Sequence, residues 1–205
     1  MKTIVGLMVV AVLVLGTVVG CDTTPSEQGH RDVSVGPMTL SVPDDWERPD
    51  DYAELTEELF TIFPEEEKEA IRVDFYGDEA EETILVPMTL DMAEYAELMG
   101  LTWRGWDIEM AEAGMTTEEY AEMAHWGLLT ELTEISRETH RQLNIGGHEA
   151  WESTYTAELE GEPAQVCILI VFPPDGVGIL LMMMPQDKWS GFEEVWETIV
   201  DSISI

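Results

Sequence analysis

Basic residues are scarce in this chain. Nine lysines and arginines stand against 43 aspartates and glutamates, which gives a formal net charge of -34 at pH 7. A chain this acidic is repelled by phosphate backbones and by anionic lipid headgroups, so the composition excludes nucleic acid as a partner. It favours cations or basic partners instead. High salt would screen the self-repulsion of such a surface, so a salt-adapted surface and a functional acidic surface are both open interpretations.

Cysteine is almost absent. The chain has two cysteines, Cys21 and Cys167. Cys167 lies in the apolar run Val166-Cys167-Ile168-Leu169-Ile170, which predicts a small buried hydrophobic residue rather than a reactive thiol. If Cys21 is modified, as its surroundings indicate below, Cys167 has no partner and no disulfide can form.

Histidines are also few, and their spacing does not support a metal site. His30, His125, His140 and His148 include no pair at the i, i+4 helical spacing of a zinc site, and no cysteine supports them. We therefore predict surface or half-buried histidines and no metal ligand.

Motifs that carry catalysis or cofactor binding are missing as well. Ser190-Gly191 lacks the glycine frame of a nucleophile elbow, and Gly176-Val177-Gly178 lacks the third glycine of a nucleotide-binding loop. The acidic runs 65–69 and 78–82 lack the alternating ligands and central glycine of a calcium loop. In a strand, Met182-Met183-Met184 would point to alternating faces, so they cannot converge on one ion. We predict a protein that is not an enzyme and has no cofactor.

The first residues are typical of a secretory signal. A short positive start, Met1-Lys2, is followed by an uncharged, mostly apolar stretch from Thr3 to Val19. This stretch is close to the lower length limit for a bilayer span, so an uncleaved transmembrane anchor is the alternative.

The end of this stretch decides between the two. Val18-Val19-Gly20-Cys21 resembles the lipobox of bacterial lipoprotein precursors. In that family the cysteine thiol is diacylated and a peptidase cuts just before it. The resemblance implies cleavage between Gly20 and Cys21 and a lipid on Cys21. Two buried acyl chains anchor a protein stably, at ~0.8 kcal/mol per methylene, and the protein would face the extracytoplasmic side of the cell membrane.

The remaining chain divides into a tether and one domain. Residues 1–20 are the expected signal peptide, and residues 21–32 are polar and unable to bury an apolar core, so they read as the lipidated cysteine and its flexible tether. Residues 33–205 are enough for a single acidic α+β domain.

Hydrophobic periodicity and turn residues predict the order of elements in that domain. Strands are predicted at 38–42, 71–76, 83–90, part of 131–144, 149–160, 164–172 and 177–184. Helices are predicted within 50–63, from Asp91 to Gly100, from Thr116 to Gly127, and from about Gly191 to the end. Capping boxes are predicted at Asp91 with Glu94, Thr116 with Glu119, and Ser190 with Glu193.

This order of elements resembles the Mog1/PsbP-like fold. The matching features are an early strand ending Ser41-Val42-Pro43-Asp44-Asp45-Trp46, the strand entry Gly146-Gly147-His148-Glu149-Ala150, the three-strand meander after it, and the closing helix Phe192 to Ile205. The acidic segment 47–70 is not typical of the family. The resemblance implies an antiparallel sheet flanked by helices, in an α/β/α sandwich, and implies no catalytic residues.

Together these features predict a membrane-anchored, non-enzymatic lipoprotein. It would act as an interaction or accessory module that engages another protein of the cell envelope. The alternative is a small-ligand or cation-binding lipoprotein associated with a transporter.

Overall fold

The computed structural model describes residues 29–61, 68–78, 81–130, 132–159 and 161–205. The predicted cleavage site at Gly20 and Cys21 and most of the predicted tether lie outside these residues. Within them, no helix combines the length and the apolar character needed to cross a membrane.

The strands of the described residues form a hairpin and a larger antiparallel sheet. The hairpin pairs β1 (His30–Val35) with β2 (Met38–Pro43). The sheet consists of β3 (Ile71–Val73), β4 (Tyr76–Asp78), β5 (Thr83–Asp91), β6 (Thr133–Ile145), β7 (His148–Leu159), β8 (Glu162–Val171) and β9 (Gly176–Pro185). Its spatial order is β3-β5-β9-β8-β7-β6, and β4 pairs with β5 beside β3.

The helices flank this sheet. They are α1 (Tyr52–Thr61), α2 (Met92–Leu98), α3 (Trp106–Ala113), α4 (Thr117–Leu128) and α5 (Trp189–Ser202), with short 3-10 turns at Lys68–Ala70 and Gln186–Lys188. The Asp91 carboxylate caps α2 by accepting from Glu94 N, and Thr116 and Glu119 form a reciprocal capping box at α4. The capping box predicted at Thr116 is confirmed, whereas at Asp91 only the N-cap bond of the predicted box is present.

The sheet separates two hydrophobic cores. Strands β8 and β9 are apolar on both faces because each face is covered. Side chains from α1 to α4 pack on one face, and α5 with the β1–β2 hairpin packs on the other. The methionine run shows the alternation, since Met183 belongs to the first core while Met182 and Met184 belong to the second. The predicted α+β sandwich is confirmed.

Two buried carboxylates are each held by an arginine. Asp74, between β3 and β4, accepts two hydrogen bonds from Arg48 and further bonds from Phe75 N and the Tyr76 hydroxyl. Burial, followed by the bond to Asp74, raises the pKa of Tyr76 to about 12. A buried charge is tolerated only when its lone pairs are satisfied, and here they are.

Glu152 is the second buried carboxylate. It lies on β7, facing α5, and only 2% of its surface is exposed. Arg141 donates to both of its oxygens at 2.9–3.1 Å, and Trp196 Nε1 donates from α5 at 3.3 Å. The pairing joins β6, β7 and α5.

Strand β6 forms one edge of the sheet. It is 13 residues long, most of its side chains are exposed, and among the described strands it pairs with β7 alone. Two irregularities interrupt its register, between Thr133 and Ser136 and between Arg137 and Thr139. Glu134, in the first of them, has a positive φ of 49°.

The structure differs from the sequence prediction at several element ends. His30 was expected in the tether but begins β1, where it pairs with Pro43. The predicted strand 71–76 is split at Asp74 and Phe75, because the Asp74 carboxylate takes up Arg48 and the backbone N–H of Phe75. Helix α3 was not predicted.

The start of α5 was also predicted wrongly. The helix begins at Trp189 rather than Gly191, its N-cap is Lys188, and no side chain caps it. The preceding 3-10 turn, Gln186–Lys188, leads directly into the helix, so a capping box at Ser190 and Glu193 is not needed.

Candidate functional site

A pocket of about 440 Å³ opens where β5 ends and β9 begins. Its volume falls within the range of roughly 300–1,000 Å³ that is usual for small-molecule sites. The walls come from segments far apart in the chain: Gly36, Pro37, Ala70, Arg72, Thr89, Leu90, Asp91, Glu94, His148, Pro173, Pro174, Asp175, Gly176, Val177, Gly178 and Ile205.

The turn between β8 and β9 forms one wall, and two indole groups fix it. Trp106 Nε1 donates to the carbonyls of Pro173, at 2.9 Å, and Gly176, at 2.8 Å. Trp103 Nε1 donates to the carbonyl of Pro174 at 3.0 Å. These bonds tie the carbonyls of the turn to the indole groups of Trp103 and Trp106.

Packed aromatic side chains also support the β8–β9 turn that forms this wall. Trp106 contacts Tyr120 and Phe172 edge to face, at ring-centroid distances of 5.2 and 5.1 Å. Burial raises the pKa of Tyr120 to about 12, so its hydroxyl stays neutral at physiological pH. The turn that forms this wall is therefore backed by packed aromatic rings.

The β1–β2 turn forms the opposite rim. Gly36 has a φ of +56°, and a Cβ there would lie 2.4 Å from Thr89 Oγ1. Only glycine fits this close approach of the hairpin to β5. Thr89 Oγ1 lies 3.4 Å from the Val35 carbonyl and donates to it.

Charges of both signs line the pocket. Arg72 Nη1 donates to backbone carbonyls of Glu69 and Ile71, whereas Arg72 Nη2 lies 3.8 Å from Glu94 Oε2. That distance exceeds the ~2.7–2.9 Å of a charge-assisted hydrogen bond, so the pair is loose. Asp91, Asp175 and the half-buried His148 complete the polar lining.

A second polar cluster lies between α4 and strands β6 and β7. His125 Nδ1 lies 3.1 Å from the Tyr155 hydroxyl, and His140 Nδ1 lies 2.7 Å from Ser153 Oγ. The two imidazole rings meet edge to face, with centroids 6.2 Å apart. Neither Nε2 atom has a hydrogen-bond partner within the described residues.

Burial dominates the electrostatics of this cluster. His125 has no exposed surface, and burial, helped by the nearby His140 and Arg137, lowers its pKa to about 3. It is therefore neutral at physiological pH. The prediction that all histidines are surface or half-buried is wrong for His125.

The arrangement Ser153, His140 and Glu118 has the order of a nucleophile, a base and an acid. The Glu118 carboxylate lies 3.6 Å from His140 Nε2. Ser153, however, is completely buried and does not line the pocket. A substrate has no access to it, so hydrogen bonding inside the core is its role.

The residues singled out from the sequence are placed as follows. Cys167 is buried, as predicted, and burial raises its thiol pKa well above the usual value. His148 alone among the four histidines lines the pocket. Across the described ranges, no three His, Cys, Asp or Glu residues are grouped closely enough to hold a metal ion. Sequence patterns marked Glu94 only as the capping partner of Asp91 and did not mark Arg72, because no local motif identifies either as a binding residue.

Comparisons with known proteins bear on the fold. No protein-family model matches the chain, and no curated protein sequence matches it. The solution structure of the cyanobacterial PsbP protein CyanoP from Synechocystis sp. PCC 6803 is similar, with a TM-score of 0.50, 13% identity, and coverage of 93% of this chain and 98% of CyanoP. This likeness supports the PsbP-like fold and says nothing of activity.

Two further structures are more distant. The Ran-binding protein Mog1p of Saccharomyces cerevisiae has a TM-score of 0.46 and 10% identity, with coverage of 87% of this chain and 96% of Mog1p. LpqN of Mycobacterium tuberculosis, described as involved in cell envelope biogenesis, has a TM-score of 0.40 and 14% identity, with coverage of 87% of this chain and 91% of LpqN.

Proposed function

We propose that this protein is a lipid-anchored, non-enzymatic binding module on the extracytoplasmic side of the cell membrane, and that the pocket is its recognition site. The main support for this proposal is the pocket. Charged groups of both signs converge in a cavity of suitable volume. Such a site is suited to holding a ligand.

The sequence before the domain supports the anchor. Val18-Val19-Gly20-Cys21 follows an apolar segment, and a lipid on Cys21 would hold the pocket close to the membrane. Metabolic labelling with a fatty acid analogue, followed by membrane fractionation, tests this in cells that express the full chain.

Replacing one cysteine at a time shows which of the two cysteines carries the lipid. Cys21→Ser should abolish lipid labelling and leave an uncleaved precursor, whereas the matched variant Cys167→Ser should be labelled like the wild type. Labelling that persists in Cys21→Ser would refute the anchor.

A second candidate function is docking to another envelope protein, and an exposed apolar surface favours it. Leu98, Met99, Leu101 and Ile108, around the α2–α3 connection, are each 37–68% exposed. Exposed apolar side chains grouped in this way often mark an interaction site.

Site-specific photo-crosslinking from position 101 tests the docking function. One protein band should form in the wild type and disappear in Ile108→Asp. The variant Glu97→Gln, on exposed surface of α2, is the control and should keep the band. A band that survives Ile108→Asp would argue against docking through this surface.

A further inference from the structure

The way in which Arg72 is held points to the ligand. Nη1 of its guanidinium group is bonded to two carbonyls, while the contact of Nη2 among the described residues is the loose one with Glu94 at 3.8 Å. Elsewhere in the described chain, Arg48, Arg104, Arg137 and Arg141 each make an ion pair of 3.0 Å or less. With 43 acidic residues available, a loosely paired arginine in a pocket has spare donors for a bound anion.

The acidic surroundings limit what that anion can be. Asp91, Glu94 and Asp175 also line the pocket, and the whole chain carries a charge of -34. A simple carboxylate would be repelled on approach, and a simple amine would leave Arg72 unused. A ligand that carries a positive and a negative charge avoids the repulsion of a simple carboxylate. It also makes use of Arg72, which a simple amine does not.

The 3.8 Å distance between Arg72 and Glu94 further limits the class of ligand. A ligand with its carboxylate on Arg72 and its ammonium group on Glu94 would replace one loose ion pair by two close ones. The two charges of the ligand must then be near each other, as they are on an α-carbon. Leu90, Pro173 and Val177 supply an apolar wall for a compact side group.

Resting on the proposed binding function, we propose that the pocket binds a small α-zwitterion with a compact apolar side chain, such as an aliphatic α-amino acid. Arg72 receives the carboxylate. Glu94, assisted by Asp91 and Asp175, receives the ammonium group.

Titration calorimetry on the full chain in detergent micelles tests this ligand class. The probes are L-alanine, L-valine, L-leucine and L-proline, together with isovalerate and isobutylamine, which each keep one of the two charges of valine. At least one amino acid should bind, and removing either charge should weaken binding by roughly ten- to a hundredfold, the value of a hydrogen bond to a charged group.

Variants assign the two charges to residues. Arg72→Gln should weaken amino-acid binding by a similar factor and leave isobutylamine binding unaffected. Arg72→Lys should have an intermediate effect, because lysine keeps the positive charge but cannot donate two parallel hydrogen bonds to a carboxylate. Glu94→Gln should weaken the amino acid and isobutylamine alike. Arg137→Gln and Glu97→Gln are the matched controls outside the pocket.

The outcomes separate this inference from the proposed function. No heat with any amino acid, or amino-acid binding that Arg72→Gln leaves intact, overturns the zwitterion. Binding of isobutylamine alone also overturns it, but leaves a binding module with a cationic ligand. Loss of the Cys21 anchor would refute the proposed function without changing the calorimetry.

Discussion

Ion pairs in the interior and in the pocket are built differently. Asp74 and Glu152 are almost completely buried, and each has an arginine in two-point contact and further donors around it. The arginines of all three pairs are half-exposed, so the difference lies in the carboxylate: Glu94 is 40% exposed and lies 3.8 Å from Arg72. The interior pairs are saturated because an unsatisfied buried charge would destabilise the fold, whereas the pocket pair keeps bonding capacity in reserve. The contrast distinguishes charges that support structure from charges available to a ligand.

The largest expected effect comes from breaking the Asp74 network. Asp74→Ala leaves the buried Tyr76 hydroxyl and Phe75 N–H without their acceptor, and it should lower the free energy of unfolding by about 3 to 5 kcal/mol, since each unsatisfied buried donor costs roughly 1 to 3 kcal/mol. Urea denaturation followed by tryptophan fluorescence measures this. The exposed Glu97→Ala should change stability by less than about 0.5 kcal/mol. An Asp74→Ala loss as small as that would remove the contrast drawn here.

The second prediction concerns pH. The unfolded chain protonates His125 near its ordinary pKa, but the folded pKa is about 3, so the unfolded state gains protons first as the pH falls. Stability contributed by neutral His125 is therefore lost below about pH 6.5 and continues to fall towards pH 3. The slope is about 1.4 kcal/mol per pH unit.

Comparing variants isolates this effect from the titration of carboxylates. Between pH 6.5 and 4.5 the wild type should lose about 2 to 3 kcal/mol more stability than His125→Gln, measured by urea denaturation at each pH. Parallel pH profiles for the two proteins would contradict a neutral, buried His125.

The third prediction tests the other interior pair. Glu152→Gln keeps the size of the side chain but removes its charge, so the bonds from Arg141 and Trp196 weaken. The expected loss is about 2 kcal/mol in the free energy of unfolding. Tryptophan fluorescence would also report the Trp196 environment directly. A stability equal to that of the wild type would show that charge contributes nothing to this contact.

The smallest effect is expected in the pocket. Arg72→Gln and Glu94→Gln should each change stability by less than about 1 kcal/mol, because loose, exposed ion pairs contribute little. Thermal unfolding in the absence of ligand measures this. A loss comparable to that of Asp74→Ala would mean that the pocket pair is structural after all.

Sequence patterns predicted the second half of the fold better than the first. Strands β7 to β9 were predicted from alternating and continuous apolar runs, because the polarity of nearly every residue there matches the burial of the sheet face on which it lies. Strand β1 escaped prediction because its first three residues are polar and only Val33 and Val35 alternate, a pattern too short to predict a strand without its pairing with β2. Helix α3 escaped because its N-cap, Gly105, makes no side-chain capping bond.

The pocket could not be predicted from the sequence at all. Arg72 is on β3, Glu94 on α2, and His148 at the start of β7, and no spacing rule joins them. Only the sheet order places the end of β5 beside the start of β9, where these segments meet. The fold likeness does not help either, because a shared fold carries no site with it.

The exposed edge of strand β6 matters where copies of this chain lie close together. A bare edge of 13 residues is a template on which another copy could add a strand and begin to polymerise. The breaks in its register near Ser136 and Thr139 confine the regular ladder to the seven residues from Thr139 to Ile145, and Glu134, Glu138 and Arg141 add charge along the edge. Copies lying side by side would therefore meet an interrupted and charged edge, which disfavours the addition of a strand.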